Sequence, residues 1–495
     1  MQKIEKYDFI ELCLEAEGCS EPQVEFANGD NTYKIKGFRD GNNFLVRFMP
    51  QAEGIWRYSG DMFGEFLCVP NAGNNHGPVK ADVFHFKYAD GTRCFPIGTT
   101  CYAWIHQTPE LIAQTLETLA KAPFNKLRMC VFPKAMPFNK NEPVLYPFHK
   151  REDGSWDVNN PDSKFWCLLE DNIGKLRDMG IEADLILFHP YDRWGFSKFS
   201  REENLVYLDY CICRLSAYCN IWWSLANEYD LIPTKTHEDW DAFGEKTAAD
   251  DPYGHLLSNH NCFAAYPQRD WMTHSSIQRR DVKGAVIHYR NERGIPVIID
   301  EFGYEGDIEY GWGSLSAFEV VNCFWLCNTL GGYCTHGETF YREDEVLWWA
   351  KGGKLHGESV KRIAYMRDVM SGLGNLDPMG GTAFFDPNNH DIKPEHEVFI
   401  RAIMAMPESE RSQMILSFSP NAGSNDDYML KYFARSCPSY ADINLPENGK
   451  YRVEVIDVWE MTRSTVSERV CGNVRINLPG KEGIAVLASR LDGEN

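Results

Sequence analysis

Positive charge is scarce in this chain. Fifty Lys and Arg stand against 71 Asp and Glu in 495 residues, a formal charge of −21. Nucleic acid and anionic membrane surfaces both select a basic face, so neither is expected as a partner. No apolar run approaches the ~20 residues that a membrane-spanning helix needs. Met1 to Lys6 leads into no apolar core, so no secretion signal is expected, and no Asn-x-Ser/Thr acceptor occurs. The 16 cysteines include no Cys-x-x-Cys pair, and several, such as Cys101, Cys130, Cys211 and Cys323, sit inside hydrophobic runs. Without a secretion signal they read as reduced, buried thiols in a cytoplasmic protein. There is no His-Glu-x-x-His and no phosphate-binding glycine loop, so no metal or other cofactor is expected. The sequence leaves the oligomeric state unknown.

The chain is too long for one core and should hold two or three domains. Residues 1–88 alternate as strands do, in Thr32–Phe38 and Asn43–Phe48, and turn through Gly54 into Ile55-Trp56-Arg57-Tyr58. Short strands at regular spacing predict an immunoglobulin-like β-sandwich. Residues 89–378 alternate strand and helix patterns, which predicts a parallel α/β sheet. Eight strands are expected: Phe95–Cys101, Lys126–Phe132, Glu182–Phe188, Ile221–Ala226, His255–Asn259, Trp271–His274, Pro296–Asp300 and Gly332–Thr335. That number makes a (β/α)8 TIM barrel, with the helix between the fifth and sixth strands missing or reduced. Residues 379–495 are β-rich again, through Met414–Ser419, Tyr428–Phe433, Tyr451–Trp459 and Ile484–Ala488, and predict a second β-sandwich.

Two strings inside the barrel carry the chemistry. Ile221-Trp222-Trp223-Ser224-Leu225-Ala226-Asn227-Glu228 and Pro296-Val297-Ile298-Ile299-Asp300-Glu301 are apolar runs too short for a helix, each ending in a carboxylate. Buried parallel strands look like this where their C-terminal ends open into a site. Two carboxyl groups there suit glycoside hydrolysis, one as acid and the other as nucleophile or base. Asn227 can hydrogen-bond a sugar hydroxyl. Arg128, late in the second strand, needs a carboxylate partner when buried, and Glu301 is the expected one.

These residues resemble the large clan of retaining glycoside hydrolases with (β/α)8 barrels. Phe95-Pro96-Ile97-Gly98-Thr99-Thr100 and Gly331-Gly332-Tyr333-Cys334-Thr335-His336-Gly337 are similar to the apiosidase-like barrels within it. The flanks resemble the β-sandwich modules that accompany such barrels. The resemblance implies Glu228 as acid/base, Glu301 as nucleophile, Arg128 as brace of the nucleophile, and a carbohydrate as substrate. Where the clan often has a strand-six Tyr, this chain offers His274. Where the clan often has a strand-eight Trp, it has His336-Gly337-Glu338, and Glu338 adds a third carboxylate. His106, His189, His260, His274 and His336 end strands or begin loops and could bind sugar hydroxyls. Tyr102, Trp104, Trp194, Trp312 and Tyr341 are expected near the mouth as stacking surfaces. A non-catalytic carbohydrate-binding barrel and a transglycosylase remain the alternatives to a hydrolase.

Overall fold

A computed structural model describes residues 1–15, 21–73, 75–379, 394–407, 410 and 421–491. Eight parallel strands form one sheet: Gly98–Thr100, Lys126–Cys130, Glu182–Phe188, Ile221–Ala226, Leu257–Ser258, Ser275–Gln278, Val297–Glu301 and Tyr333–His336. Numbered along the chain, their order is fifth, fourth, third, second, first, eighth, seventh, sixth. That is the cyclic order of a (β/α)8 barrel, interrupted between the fifth and sixth strands. No helix lies between those two strands. Thr273 spans the gap instead. Its amide donates to the Leu257 carbonyl at 2.9 Å, and its Oγ1 accepts from the Leu257 amide at 2.7 Å.

The third and fourth strands are fully buried along their length, as mostly apolar runs predict, with Glu182 and Asp184 the charged residues of the third. The sixth strand departs from expectation. It comprises Ser275–Gln278, four residues beyond Trp271–His274. The strand carries Ser-Ser-Ile-Gln and gives no apolar signal, while the apolar Trp271-Met272 pair before it does.

Residues 1–278 and 335–356 form one compact unit. Its N-terminal part has a five-stranded sheet and a three-stranded sheet. These enclose Val24, Phe26, Val46, Phe48, Trp56 and Phe66. Their strands span Gln2–Val69. The boundary expected at residue 88 falls inside a separate three-stranded sheet, Val79–Asp82, His85–Tyr88 and Arg93–Cys94. A buried ion cluster ties the sandwich to the barrel helices. Glu170, on helix Ser163–Asp178, accepts from Arg47 of the sandwich and from Arg214 of helix Arg201–Leu215. Arg47 and Arg214 are 6% and 0% exposed, and Glu170, with Glu11 on Arg47 and Asp40 on Arg214, makes their burial tolerable.

Residues 279–334 and 357–495 form the second unit. Its β part is a six-stranded sheet beside a two-stranded one, around Ile443, Val453, Ile476, Ile484 and Val486. This part docks on its unit's own helices. The Tyr432 hydroxyl donates to Asn322 at 3.0 Å, and the Arg362 guanidinium lies 3.4 Å from the Trp459 ring centroid. A helix spans Pro394–Met404. The strand expected at Met414–Ser419 lies outside the described residues. Every described cysteine is free. Among the described residues no helix is long and apolar enough to cross a membrane.

Candidate active site

Inside the first unit the barrel interior is layered. Lys126 and Arg128 both reach Asp184 of the third strand, at 2.7 and 3.5 Å. All three are at most 3% exposed. No motif in the sequence points to Asp184, yet it is a carboxylate partner of Arg128.

Glu228 lies just past the C-terminal end of the fourth strand. Its backbone sits in the left-handed region, at φ 55° and ψ 56°. Few non-glycine residues adopt that conformation, and those that do cluster at functional sites. Three hydrogen bonds hold the turn. The Tyr229 amide donates to the His260 carbonyl at 2.9 Å, the Glu228 amide to His260 Nδ1 at 3.4 Å, and the Leu231 amide to the Glu228 carbonyl at 2.9 Å. Glu228 is 6% exposed. Its Oε2 accepts from the Tyr191 hydroxyl at 2.5 Å and from Asn227 Nδ2 at 3.0 Å. Asn227 and His260 thus both lie against Glu228. Tyr191 was not foreseen, although His189-Pro190-Tyr191 follows the third strand directly.

Lys134 is the other residue missed. It is 2% exposed, and its ammonium lies 3.3 Å from the Tyr102 ring centroid and 4.5 Å from that of Tyr191. Tyr102 therefore belongs to this cluster. His189 is buried beside it. Its Nε2 lies 3.2 Å from the Phe132 carbonyl, and burial followed by the Lys134 charge pushes its pKa down to about 3. Asp230 fixes the loop after the fifth strand, accepting from the amides of Cys262, Phe263 and Ala264 at 2.6, 2.7 and 3.0 Å.

Three expected site residues lie elsewhere. His274 precedes the sixth strand rather than ending it. It packs at the N-terminal end of the barrel, 5.9 Å from the Phe86 ring and 5.5 Å from that of Trp222. The residue at the C-terminal end of that strand is Gln278, whose amide donates to Asn261 Oδ1 at 3.3 Å. Trp104 enters the strand–helix core through the short 3-10 helix Trp104–His106, with its indole on Met129 Sδ. His336 is in register with Thr99, which is in register with Leu127 of that core, so strand alternation turns it to the outer face. It stacks on Phe124, its Nδ1 lies 3.2 Å from Thr99 Oγ1, and burial pushes its pKa down to about 3. Glu338 is 1% exposed. Its Oε2 accepts from the His356 amide at 2.7 Å, and its Oε1 lies 3.7 Å from His336 Nε2.

In the second unit Glu301 closes the seventh strand and is partly buried. Its carbonyl accepts from the Arg279 amide at 2.9 Å. The following loop stacks Tyr310 on Trp312, with centroids 5.6 Å apart and planes 8° apart. The two rings are 41% and 37% exposed.

Comparison with known proteins agrees with this architecture. A protein from Bacteroides vulgatus described as a "putative glycoside hydrolase" is 32% identical, with TM-score 0.85 over 99% of this chain and 100% of that one. A family 5 glycoside hydrolase from the same species has TM-score 0.64 at 14% identity, covering 85% of this chain and 94% of that one, a likeness of fold alone. No curated protein matches the chain. Two domains of unknown function match residues 3–62 and 418–488. Residues 81–376 match the apiosidase-like catalytic domain, and the chain belongs to that family.

Proposed function

We propose that the protein is a retaining glycoside hydrolase, with Glu228 as acid/base and Glu301 as nucleophile. The observation that carries this reading is the left-handed, hydrogen-bonded Glu228 at the end of a fully buried strand. A backbone held in that conformation has to be over-determined by its surroundings, which here are Asn227, Tyr191 and His260. The carbohydrate substrate follows from family membership and from the similar glycoside hydrolase.

In the first step the Glu301 carboxylate attacks the anomeric carbon. The glycosidic C–O bond breaks, and the departing oxygen takes the proton of Glu228. In the second step water attacks the same carbon and gives a proton to Glu228, and the bond to Glu301 breaks. Configuration is retained after two inversions. His189 and His336 stay neutral at physiological pH, so neither competes as an acid. Arg128 and Asp184 form a buried charged pair inside the barrel.

The test is covalent trapping. The protein is incubated with a panel of 2-deoxy-2-fluoroglycosyl fluorides and digested for mass spectrometry. A fluoroglycosyl adduct on Glu301 is expected. An adduct on another carboxylate, or aryl glycoside turnover with inverted configuration, overturns the assignment.

A further inference from the structure

This inference rests on the reading of Glu228 as acid/base and concerns which of its oxygens moves the proton. The two oxygens are not equivalent. Oε2 accepts from Tyr191 and Asn227 at 2.5 and 3.0 Å. Oε1 accepts from none of the described residues. The terminal torsion of a glutamate is broad and nearly two-fold, so a carboxyl without directing partners exchanges its oxygens readily.

Tyr191 is well placed to prevent that exchange. Its carbonyl accepts from the Ala135 amide at 2.8 Å. Its ring rests against the Lys134 ammonium, which Tyr102 covers on another side. The Lys134 carbonyl is in turn bound by Asn139 Nδ2 at 2.7 Å, and Asn139 Oδ1 by Gln107 Nε2 at 3.2 Å. A cation against the ring draws electron density from the phenol and strengthens its O–H as a donor.

We propose that Tyr191 is a positioning residue: with Asn227 it reserves Oε2 for hydrogen bonding and leaves Oε1 as the proton-carrying oxygen. A phenol and an amide donate to a carboxylate oxygen and to the carbonyl oxygen of a carboxylic acid alike. Neither donor has to move when Oε1 loses its proton to the leaving oxygen. Neither moves when Oε1 takes a proton from the attacking water. The proton therefore leaves and returns at one fixed point.

Neutron diffraction on the D2O-exchanged protein, crystallised at acid pH, reads this without any substrate. A deuteron on Glu228 Oε1, with the Tyr191 hydroxyl deuteron aimed at Oε2, is expected. A deuteron on Oε2, or a Tyr191 hydroxyl turned away from Glu228, overturns the proposal. Kinetics supply a second readout, on 4-methoxyphenyl and 2,4-dinitrophenyl glycosides of a sugar the wild type cleaves. Tyr191→Phe keeps the ring and its contact with Lys134. It should lower kcat/KM about 10- to 100-fold for the poor leaving group and under about 3-fold for the good one, with an unchanged melting temperature. Equal losses on both substrates, or none, contradict the positioning role. Glu228→Gln, measured beside it, separates the two readings. If that variant shows no leaving-group dependence, the acid/base assignment itself fails.

Discussion

At the N-terminal end of the barrel Glu182 opens the third strand. At the C-terminal end Glu228 follows the fourth. Both are buried carboxyl groups, 5% and 6% exposed. Glu182 is sealed under the sheet Val79–Cys94. Trp222 Nε1 donates to its Oε2 at 3.0 Å, the Phe86 ring lies 5.3 Å from Trp222, and burial pushes the Glu182 pKa up to about 8. Glu228 instead has two polar donors on one oxygen, none among the described residues on the other, and a left-handed backbone. The two groups differ not in depth but in surroundings: Glu182 lies between Trp222 and the sheet at the N-terminal end, whereas Glu228 stands at the C-terminal face, where such barrels keep function.

The largest expected effect breaks the comparison at its functional side. Glu228→Gln should lower kcat/KM for a poor leaving group by about 10²- to 10⁴-fold, whereas Glu182→Gln should leave it unchanged. Steady-state kinetics on one aryl glycoside measures both.

The next is structural. Glu170→Ala would remove the buried carboxylate that Arg47 and Arg214 share and leave them only Glu11 and Asp40, each at the edge of the cluster. A cost of up to about 3–5 kcal/mol is expected in urea denaturation. A much smaller loss would mean that Glu11 and Asp40 suffice to hold the two guanidinium groups.

Third is the pH dependence of stability. Glu182 stays protonated in the folded state up to about pH 8, while in the unfolded chain it ionises above about 4.5. Its contribution is therefore complete below that lower pH and is lost as pH rises toward 8. Glu182→Gln removes the ionisation and should gain ~3 kcal/mol relative to wild type at pH 7. Buried histidines act with the opposite sign. His106, His189 and His336, pushed down to about 4, 3 and 3, are neutral when folded. The unfolded chain binds their protons first, so their contribution is lost as pH falls below about 6.5. Denaturation across pH 4–8 should show both limbs in the wild type and only the acid limb in Glu182→Gln.

The smallest effect sharpens the picture of the mouth. Asp230→Ala releases the amides of Cys262, Phe263 and Ala264. It should cost about 1–3 kcal/mol of stability and raise KM without making kcat depend on the leaving group.

Much of this was legible in the amino-acid order. The fourth strand is a long, mostly apolar run, and Asn227 and Glu228 stand directly after its end. The fifth strand shrank to Leu257–Ser258, and the sixth slipped by four residues. Short strands of small polar residues carry no periodic signal, so the neighbouring apolar Trp271-Met272 drew the assignment and took His274 to the wrong end of the barrel. Trp104 and His336 were misplaced for a related reason. A residue near a strand terminus can face the core or the mouth, and only the register with Leu127 separates the two. Tyr191 and Lys134 lie in loops, where periodicity is silent. Their signal was chemical: a lone lysine in Val131-Phe132-Pro133-Lys134-Ala135-Met136 has to meet something that tolerates its burial, and here it meets two tyrosine rings.

The central claim is that Glu228 moves a proton in a double displacement while Glu182 only closes the barrel. Azide rescue tests it most directly, on a nitrophenyl glycoside that the wild type turns over. Glu228→Ala should lose turnover and regain it in azide, yielding a glycosyl azide of retained configuration, because azide needs no general base. Glu182→Ala should give no azide product and keep the wild-type kcat wherever it is folded. Full turnover by Glu228→Ala without azide, or an azide product of inverted configuration, would contradict the account.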